Sequence, residues 1–223
     1  MKRIIPGFII VCLVILFIFN QNNASVQSKE ERDLEAVIAN TGQFFKENRE
    51  MFLNGLSISR DIPDERISFY VNDVPVSHDE VMMSLGVDLA GGVGTTLEEV
   101  KERLTMYALF YQKAQEYGVY PTEEQVNEYL QKQQSGLEEN DEGKAMIDLI
   151  MEEWGLTEDE FWNVYQKYHA YNMLTALNVQ KEVIPWYFKD EIYTPEDGER
   201  ARLEVEAWFL QQLQDAEITN VIE

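Results

Sequence analysis

The stretch from Thr95 to Gln134 constrains the fold more than any other part of the chain, because its pattern indicates two helices joined by a tight corner. Gly118 follows the first apolar run as a helix C-cap, and Thr122 and Gln125 then have the spacing of a capping box. In the first half, apolar residues recur every three or four positions, at Leu97, Val100, Leu104, Tyr107, Ala108, Tyr111 and Ala114. The sequence therefore predicts a helical hairpin with one face buried against the rest of the chain.

The composition of the chain limits the class of protein to which such a hairpin can belong. The chain has 223 residues, of which 45% are hydrophobic, enough for one elongated domain or a small pair with a sizeable core. Its 18 basic and 41 acidic residues give a formal net charge of -23, which argues against nucleic acid as a partner and favours a self-repelling, soluble surface. The single cysteine, Cys12, excludes an intrachain disulfide, so the core or a bound partner has to hold the fold.

The N-terminus has the layout of a signal peptide or an uncleaved signal anchor. Lys2 and Arg3 precede an almost uninterrupted apolar run from Ile4 to Phe19, and a polar stretch follows. A cut after Ala24 would place Asn22 where signal cleavage requires a small residue, which favours an anchor. We therefore expect a single-pass protein of the cell membrane with its domain on the extracytoplasmic side, or a secreted one if the signal is cleaved.

The next segments predict a domain organisation. Residues 1–24 form the predicted anchor, 25–66 a helical linker and connector that docks on the domain, and 67–223 the domain itself. The linker helix is predicted from Glu30 to Leu56 by a broad apolar stripe amid charged residues.

At the start of the domain, the spacing of apolar residues changes from that of a helix to that of a strand. Ile67–Val71 is a predicted strand, Asn72 and Asp73 a turn, and Val74–Val76 a short return strand. Ser77 and Glu80 have the spacing of a capping box, and the helix that they open should bury one apolar face. The residues assigned to that face are Val81, Met82, Leu85, Val87 and Leu89.

Helices fill the second half of the chain. Residues 135–144 are predicted as a loop, Ala145–Trp154 as a helix, and Thr157 with Glu160 as the capping box of a long helix that Pro185 breaks. Pro195 has the position of a first helical residue, and a last helix follows it.

The final segment, Ala216–Val221, alternates like a strand. We expect it to pair beside Ile67–Val71, because a lone two-stranded hairpin is marginal in water. The predicted fold is mostly α, with a small antiparallel sheet that joins N- and C-terminal strands.

This order of elements resembles the N-terminal chaperone domain of SurA, PrsA and related extracytoplasmic foldases. The resemblance rests on the VNDVPVS turn, on LTMYALFYQKAQEYGVYPTEEQVNEYLQ and on GLTEDEFWNVYQKY, and spans residues 67–182. The terminal AWFLQQLQDAEITNVIE is similar to the helix and strand that return to complete that domain. The resemblance implies a peptide-binding fold that contacts unfolded or nascent exported proteins.

One departure from that family bears on activity. Its members usually carry a parvulin-type prolyl isomerase domain between the long helical segment and the terminal helix, whereas only residues 181–194 separate the two here. The two histidines, His78 and His169, lie at a helix start and within a helix, with no second metal ligand at a suitable spacing. We therefore expect neither isomerase activity nor a catalytic set, and neither a metal nor another cofactor.

The side chains that such a binder would use are aromatic residues and methionine, which adapt to unfolded segments. Residues out of phase with the main stripe of their helix are candidates for exposure, together with an aromatic cluster beside Pro185. The predicted peptide-binding residues are Met83, Phe110, Trp162, Trp186, Tyr187 and Phe188. The alternative is a structural or regulatory envelope module that holds one dedicated protein partner.

Overall fold

The structure is a computed structural model that describes residues 34–138, 140–189 and 194–221. The predicted signal anchor lies outside the described residues. Within them, the chain is mostly helical with a three-stranded antiparallel sheet. In chain order the helices are α1 Leu34–Glu47, α2 Arg49–Gly55, α3 His78–Ala90, α4 Leu97–Tyr117, α5 Glu123–Glu138, α6 Asp141–Trp154, the single turn α7 Glu158–Glu160, α8 Lys167–Val183 and α9 Pro195–Asp215. The strands are β1 Ile67–Val71, β2 Val74–Ser77 and β3 Ile218–Asn220.

The predicted helical hairpin is confirmed as α4 and α5. Thr96 accepts a hydrogen bond from the Glu99 backbone amide and the Glu99 carboxylate accepts one in return, so a complete capping box starts α4. Gly118 ends the helix with φ 70, in the left-handed region that glycine enters at no steric cost. Thr122 and Gln125 form the reciprocal bonds expected of them at the start of α5.

The main core lies between the N-terminal helices and the second half of the chain. Phe45 of α1 contacts Trp154 of α6 at 4.5 Å between ring centroids and Phe52 of α2 at 4.0 Å. The two helices α1 and α6 come so close that a Cβ on Gly42 would lie 2.2 Å from the Glu153 carbonyl oxygen. Residues 34–56 therefore share one hydrophobic core with α6 and α8.

A second core lies under the sheet. Val71 and Val76 of the hairpin pack with Val100, Leu104 and Ala108 of α4. From the far end of the chain, Phe209 and Leu213 of α9 pack against the same cluster. The sheet order is β2-β1-β3, so the last strand lies beside the first one.

The predicted pairing of the terminal segment is confirmed. Phe69 of β1 lies opposite Asn220 and Val71 lies opposite Ile218 in an antiparallel register. The Asn72 amide donates to the Glu217 carbonyl at 2.7 Å, which extends the pairing beyond the strand ends.

Truncation after Gln214 tests how much this strand supports the fold. It removes several backbone hydrogen bonds to β1, each worth about 0.5 to 1.5 kcal/mol net, so we expect a loss of about 2 kcal/mol. For a chain of this size that corresponds to a melting temperature lower by about 4 to 8 °C. Hydrogen exchange gives the local readout, since the Asn72 amide should lose its protection in the truncated chain. An unchanged melt with Asn72 still protected would show that β3 is dispensable.

Two boundaries differ from the predictions. The predicted loop at 135–144 is largely helical, because α5 continues to Glu138 and α6 already begins at Asp141, where Asn140 caps it by accepting from the Gly143 amide at 3.0 Å. The linker helix is interrupted at Asn48, whose side-chain amide donates to the Phe44 carbonyl at 2.9 Å. Polar residues that suit loops also serve as helix caps, and composition does not separate the two roles.

The helix after Thr157 contains an element that the sequence did not predict. Phe161–Gln166 forms a π-helix between α7 and α8. Its Tyr165 contacts Trp154 at 5.2 Å and the His169 ring at 4.5 Å. Segments of this type are uncommon and are often found at functional sites, and this one borders the cavity described below.

Candidate functional site

An open cavity of about 680 Å³ lies between α4 and the segment of α9 and β3 that returns to the sheet. We call it the groove. Its walls come from α3, α4, the π-helix, the start of α8, the end of α9 and β3. Its apolar lining residues include Met83, Met106, Tyr107, Phe209, Leu213 and Ile218.

The floor of the groove is apolar. Met106 and Tyr107 are partly buried on α4, and Phe209 and Leu213 reach over from α9 to pack on the core beneath the sheet. Ile218 is 48% exposed at the edge, so apolar surface extends from the floor to solvent. The residue types are those that suit contact with varied apolar side chains, since methionine adapts its shape and aromatic rings supply large contact areas.

The inner end of the groove is uncharged. His169 lies there beside Tyr165, and burial lowers the pKa of His169 to about 4. The imidazole is therefore neutral at pH 7. Burial also raises the pKa of Tyr165, so its hydroxyl stays protonated. Neither ring adds charge to the apolar floor.

The rim of the groove carries charged residues of α3 and α4. Asp88 is buried and forms an ion pair with Arg103 at 2.8 Å, and Lys101 donates to the Asn220 side chain at 3.4 Å. Glu99 is held by Thr96, whose backbone amide and hydroxyl both bond to its carboxylate and lower its pKa.

Two further carboxylates complete the rim. Glu98 and Glu102 are exposed, and among the described residues neither has an ion-pair partner. They are four positions apart on α4 and so lie on the same helix face. The open side of the groove is therefore net acidic.

A buried network that borders the groove at Tyr168 holds the connector 57–66 against the domain. Arg60 bonds to Glu80 at 2.8 Å, and the Tyr168 hydroxyl donates to the same carboxylate at 2.9 Å. Burial opposes the charge of Arg60, but the Glu80 carboxylate outweighs it and the pKa of Arg60 lies above its ordinary value. Because every member is paired, the network is suited to positioning rather than to proton transfer.

The same network corrects the prediction for Ser77 and Glu80. Ser77 does cap α3 by accepting from the Glu80 amide at 3.0 Å. The Glu80 side chain, however, turns to Arg60 and Tyr168 instead of returning to the cap. A buried guanidinium is a stronger partner for a carboxylate than a backbone amide at a helix end.

The structure contradicts the predicted exposure of Met83, Phe110 and Trp162, which are 6%, 6% and 9% exposed. Met83 belongs to the main core and reaches the groove from below. Phe110 packs against Trp208 and Phe209 at 5.7 and 6.2 Å between ring centroids. Trp162 contacts Phe161 in the main core. Each of these three side chains is covered by residues from elsewhere in the fold, which the apolar pattern of its own helix does not reveal.

The phase of α3 explains the error at Met83. The helix buries Glu80 and Asp88 with Val81 and Met83, while Met82 and Leu89 are 36% and 54% exposed. The predicted apolar face, with Met82 and Leu89, is therefore wrong by about one position. Charged residues occupy the buried face because Arg60 and Arg103 neutralise them, so apolar character alone misplaces the stripe.

The aromatic cluster after Pro185 is half-buried and does not line the groove. Trp186 donates to Glu204 at 2.8 Å and lies under the Arg200 guanidinium at 4.2 Å. Tyr187 contacts Trp186 on one side and Phe188 on the other. These contacts attach the break to α9, and a peptide-binding role for Trp186, Tyr187 and Phe188 stays a prediction.

Sequence reasoning missed the groove residues Met106, Phe209, Leu213, Glu98 and Glu102 as a set. Phe209 and Leu213 lie on the last predicted helix, just before the strand that was expected to pair with Ile67–Val71, and that return is the signal that could have located the groove. Glu98 and Glu102 gave no signal of their own, since charged residues on a helix surface are common.

The described residues show neither a metal centre nor a membrane span. No group of three or more His, Cys, Asp and Glu side chains among them could hold a metal ion. Within the same part of the chain, no helix has the length and apolar character needed to cross a membrane. Comparison with protein-family models, curated proteins and solved structures finds no match to the chain.

Proposed function

We propose that this protein is a membrane-tethered, extracytoplasmic binder of unfolded or nascent exported polypeptides and that it acts without catalysis. The observation that carries the proposal is the groove, an open cavity with an apolar floor of methionine and aromatic side chains. A volume of about 680 Å³ accommodates several side chains of an unfolded segment. Its floor is preformed by two packed cores, which reduces the ordering that binding requires.

The arrangement of the chain ends supports a SurA N-terminal-like fold as part of the proposal. The resemblance implies that a terminal helix and strand return to the first hairpin, and α9 and β3 do return to β1. In this architecture the returning segment also supplies one wall of the groove, through Phe209, Leu213 and Ile218.

The membrane tether in the proposal rests on sequence. Lys2 and Arg3 before the apolar run from Ile4 to Phe19 favour an N-terminus in the cytoplasm and a domain outside. The absence of catalysis is equally a proposal, and it is supported by the neutral, buried state of His169 and by the fully paired Arg60, Glu80 and Tyr168.

A second candidate function is that of an adaptor for one dedicated envelope partner. It is favoured by an exposed apolar stripe on α9, where Leu203 and Leu210 are 51% and 50% exposed and Ala207 lies between them. The spacing places all three on one helix face outside the groove.

Suppression of aggregation separates these two functions. The full chain in lipid nanodiscs, at a molar concentration close to that of the client, should delay the aggregation of several unrelated unfolded clients. A dedicated adaptor should delay none of them. Met106→Glu should abolish most of the effect, since it places a charge on the groove floor. Met82→Glu is the matched control, because Met82 lies on α3 outside the groove and is already exposed.

Two results would contradict the proposal. One is a native chain that protects no client. The other is a Met106→Glu variant that melts like the native chain and protects clients equally well.

A further inference from the structure

The charges around the groove narrow the class of polypeptide that it would accept. We propose that the groove prefers segments in which lysine or arginine residues flank an apolar stretch. This inference rests on the proposed function and adds a preference to it. It follows from which rim charges are already neutralised inside the protein and which are not.

Both cations that line the groove among the described residues, Arg103 and Lys101, are held by other side chains. Arg103 is committed to Asp88, which is buried beneath it. Lys101 donates to Asn220 of β3 and so joins the wall of α4 to the strand. An acidic segment entering the groove would have to compete with these bonds.

Carboxylates outnumber cations at the rim, since Asp88, Glu98, Glu99 and Glu102 line the groove together with Lys101 and Arg103. Glu98 and Glu102 are exposed along the α4 side of the groove, about one helical turn apart, and Glu99 beside them keeps its negative charge through the bonds from Thr96. A cationic side chain that leaves the apolar floor would meet Glu98 or Glu102 at the rim. Each such exposed contact should tighten binding by a factor of about 1.5 to 5.

The first turn of α4, which carries the start of the rim, is held in a fixed position. The capping box at Thr96 holds this turn, and Thr95 also bonds to Glu99 at 3.4 Å. The two free carboxylates are therefore presented by a held backbone, while Met106 continues the same helix into the floor. Apolar contact and charge contact lie on one face of one helix, which fits a ligand that carries both.

General attraction has to be separated from recognition at the rim. With a net charge of -23, the whole chain attracts cations from any direction. The chain offers a matched control in Glu124 and Glu128 of α5, which are also exposed, also four positions apart and also begin at the second helical position. Neither lines the groove.

The test uses three fluorescent peptides that share one apolar core and differ only in their flanking residues, which are lysine, glutamine or glutamate. Their binding is measured to the full chain in nanodiscs of uncharged lipid. At low salt we expect the lysine peptide to bind about fivefold more tightly than the glutamine peptide, and the glutamate peptide to bind most weakly. The difference should shrink at high salt, because the rim is exposed to solvent.

The variants assign the preference to the rim. The double variant Glu98→Gln with Glu102→Gln should lose most of the lysine preference, so that the lysine and glutamine peptides bind to it about equally well. Glu124→Gln with Glu128→Gln should keep the preference.

Three outcomes would overturn the inference, and one of them would also contradict the proposed function. Equal binding of the three peptides, or a lysine preference that both double variants reduce equally, contradicts recognition at the rim but leaves the proposed function standing. Absence of binding by all three peptides, the neutral one included, contradicts the proposed function as well.

Discussion

Replacement of Arg60 with methionine is expected to destabilise the protein by about 3 to 5 kcal/mol, the usual consequence of leaving a buried charge without its partner. Glu80 is 2% exposed and bonds to Arg60 at 2.8 Å. Tyr168 still donates to the carboxylate after the substitution, but a neutral hydroxyl does not neutralise it. A denaturant melt measures the loss directly.

A second substitution identifies the cause. Adding Glu80→Gln to Arg60→Met should recover much of the lost stability, because a neutral amide oxygen still accepts from Tyr168 and no buried charge remains. Arg202→Met is the control, since Arg202 forms ion pairs with Glu199 and Glu206 on the surface, where such pairs are worth about 0 to 1 kcal/mol. A loss at Arg60 as small as the loss at Arg202 would contradict the structural role of the network.

Substitution of Trp162 or Phe110 with serine is expected to cost about 3 to 5 kcal/mol in each case, as large-to-small aromatic changes in cores do. Trp162 is enclosed in the main core beside Phe161. Phe110 lies between α4 and α9 and contacts Trp208 and Phe209. Equilibrium unfolding in denaturant gives both values.

Tyr117→Ser provides the comparison on the same helix as Phe110. Tyr117 is 44% exposed at the end of α4, so its loss should change the free energy of unfolding by less than about 1 kcal/mol. If Phe110→Ser and Trp162→Ser had effects as small as this one, both residues would belong to the surface, as the sequence alone indicated.

Local signals in the sequence located the helix ends well. The capping box at Thr157 and the glycine stop at Gly118 appear in the structure where the sequence predicts them. Such signals act within a few residues, because a cap satisfies backbone groups of its own helix. Strand pairing between Ile67–Val71 and the terminal segment was also predicted, from the need for a third strand.

Other features that depend on distant partners were not predicted. The buried face of α3 includes Glu80 and Asp88, because Arg60 and Arg103 neutralise these two carboxylates. The groove likewise combines α4 with Phe209 and Leu213, which follow it by about a hundred residues. The pattern of a single helix shows which residues are apolar but not which layer covers them, so Phe110 was placed on the surface although α9 buries it.

The central claim is that unfolded polypeptide binds in the groove, and site-specific photocrosslinking tests it most directly. A photoreactive phenylalanine analogue is placed either at Leu213, which lines the groove, or at Leu210, which is 50% exposed on the same helix outside the groove. With the full chain in nanodiscs and a permanently unfolded client, we expect a strong crosslink from position 213 and a weak one from position 210. A crosslink from position 210 that equals or exceeds the one from position 213 would contradict the claim and would favour the apolar stripe on α9 as the contact surface.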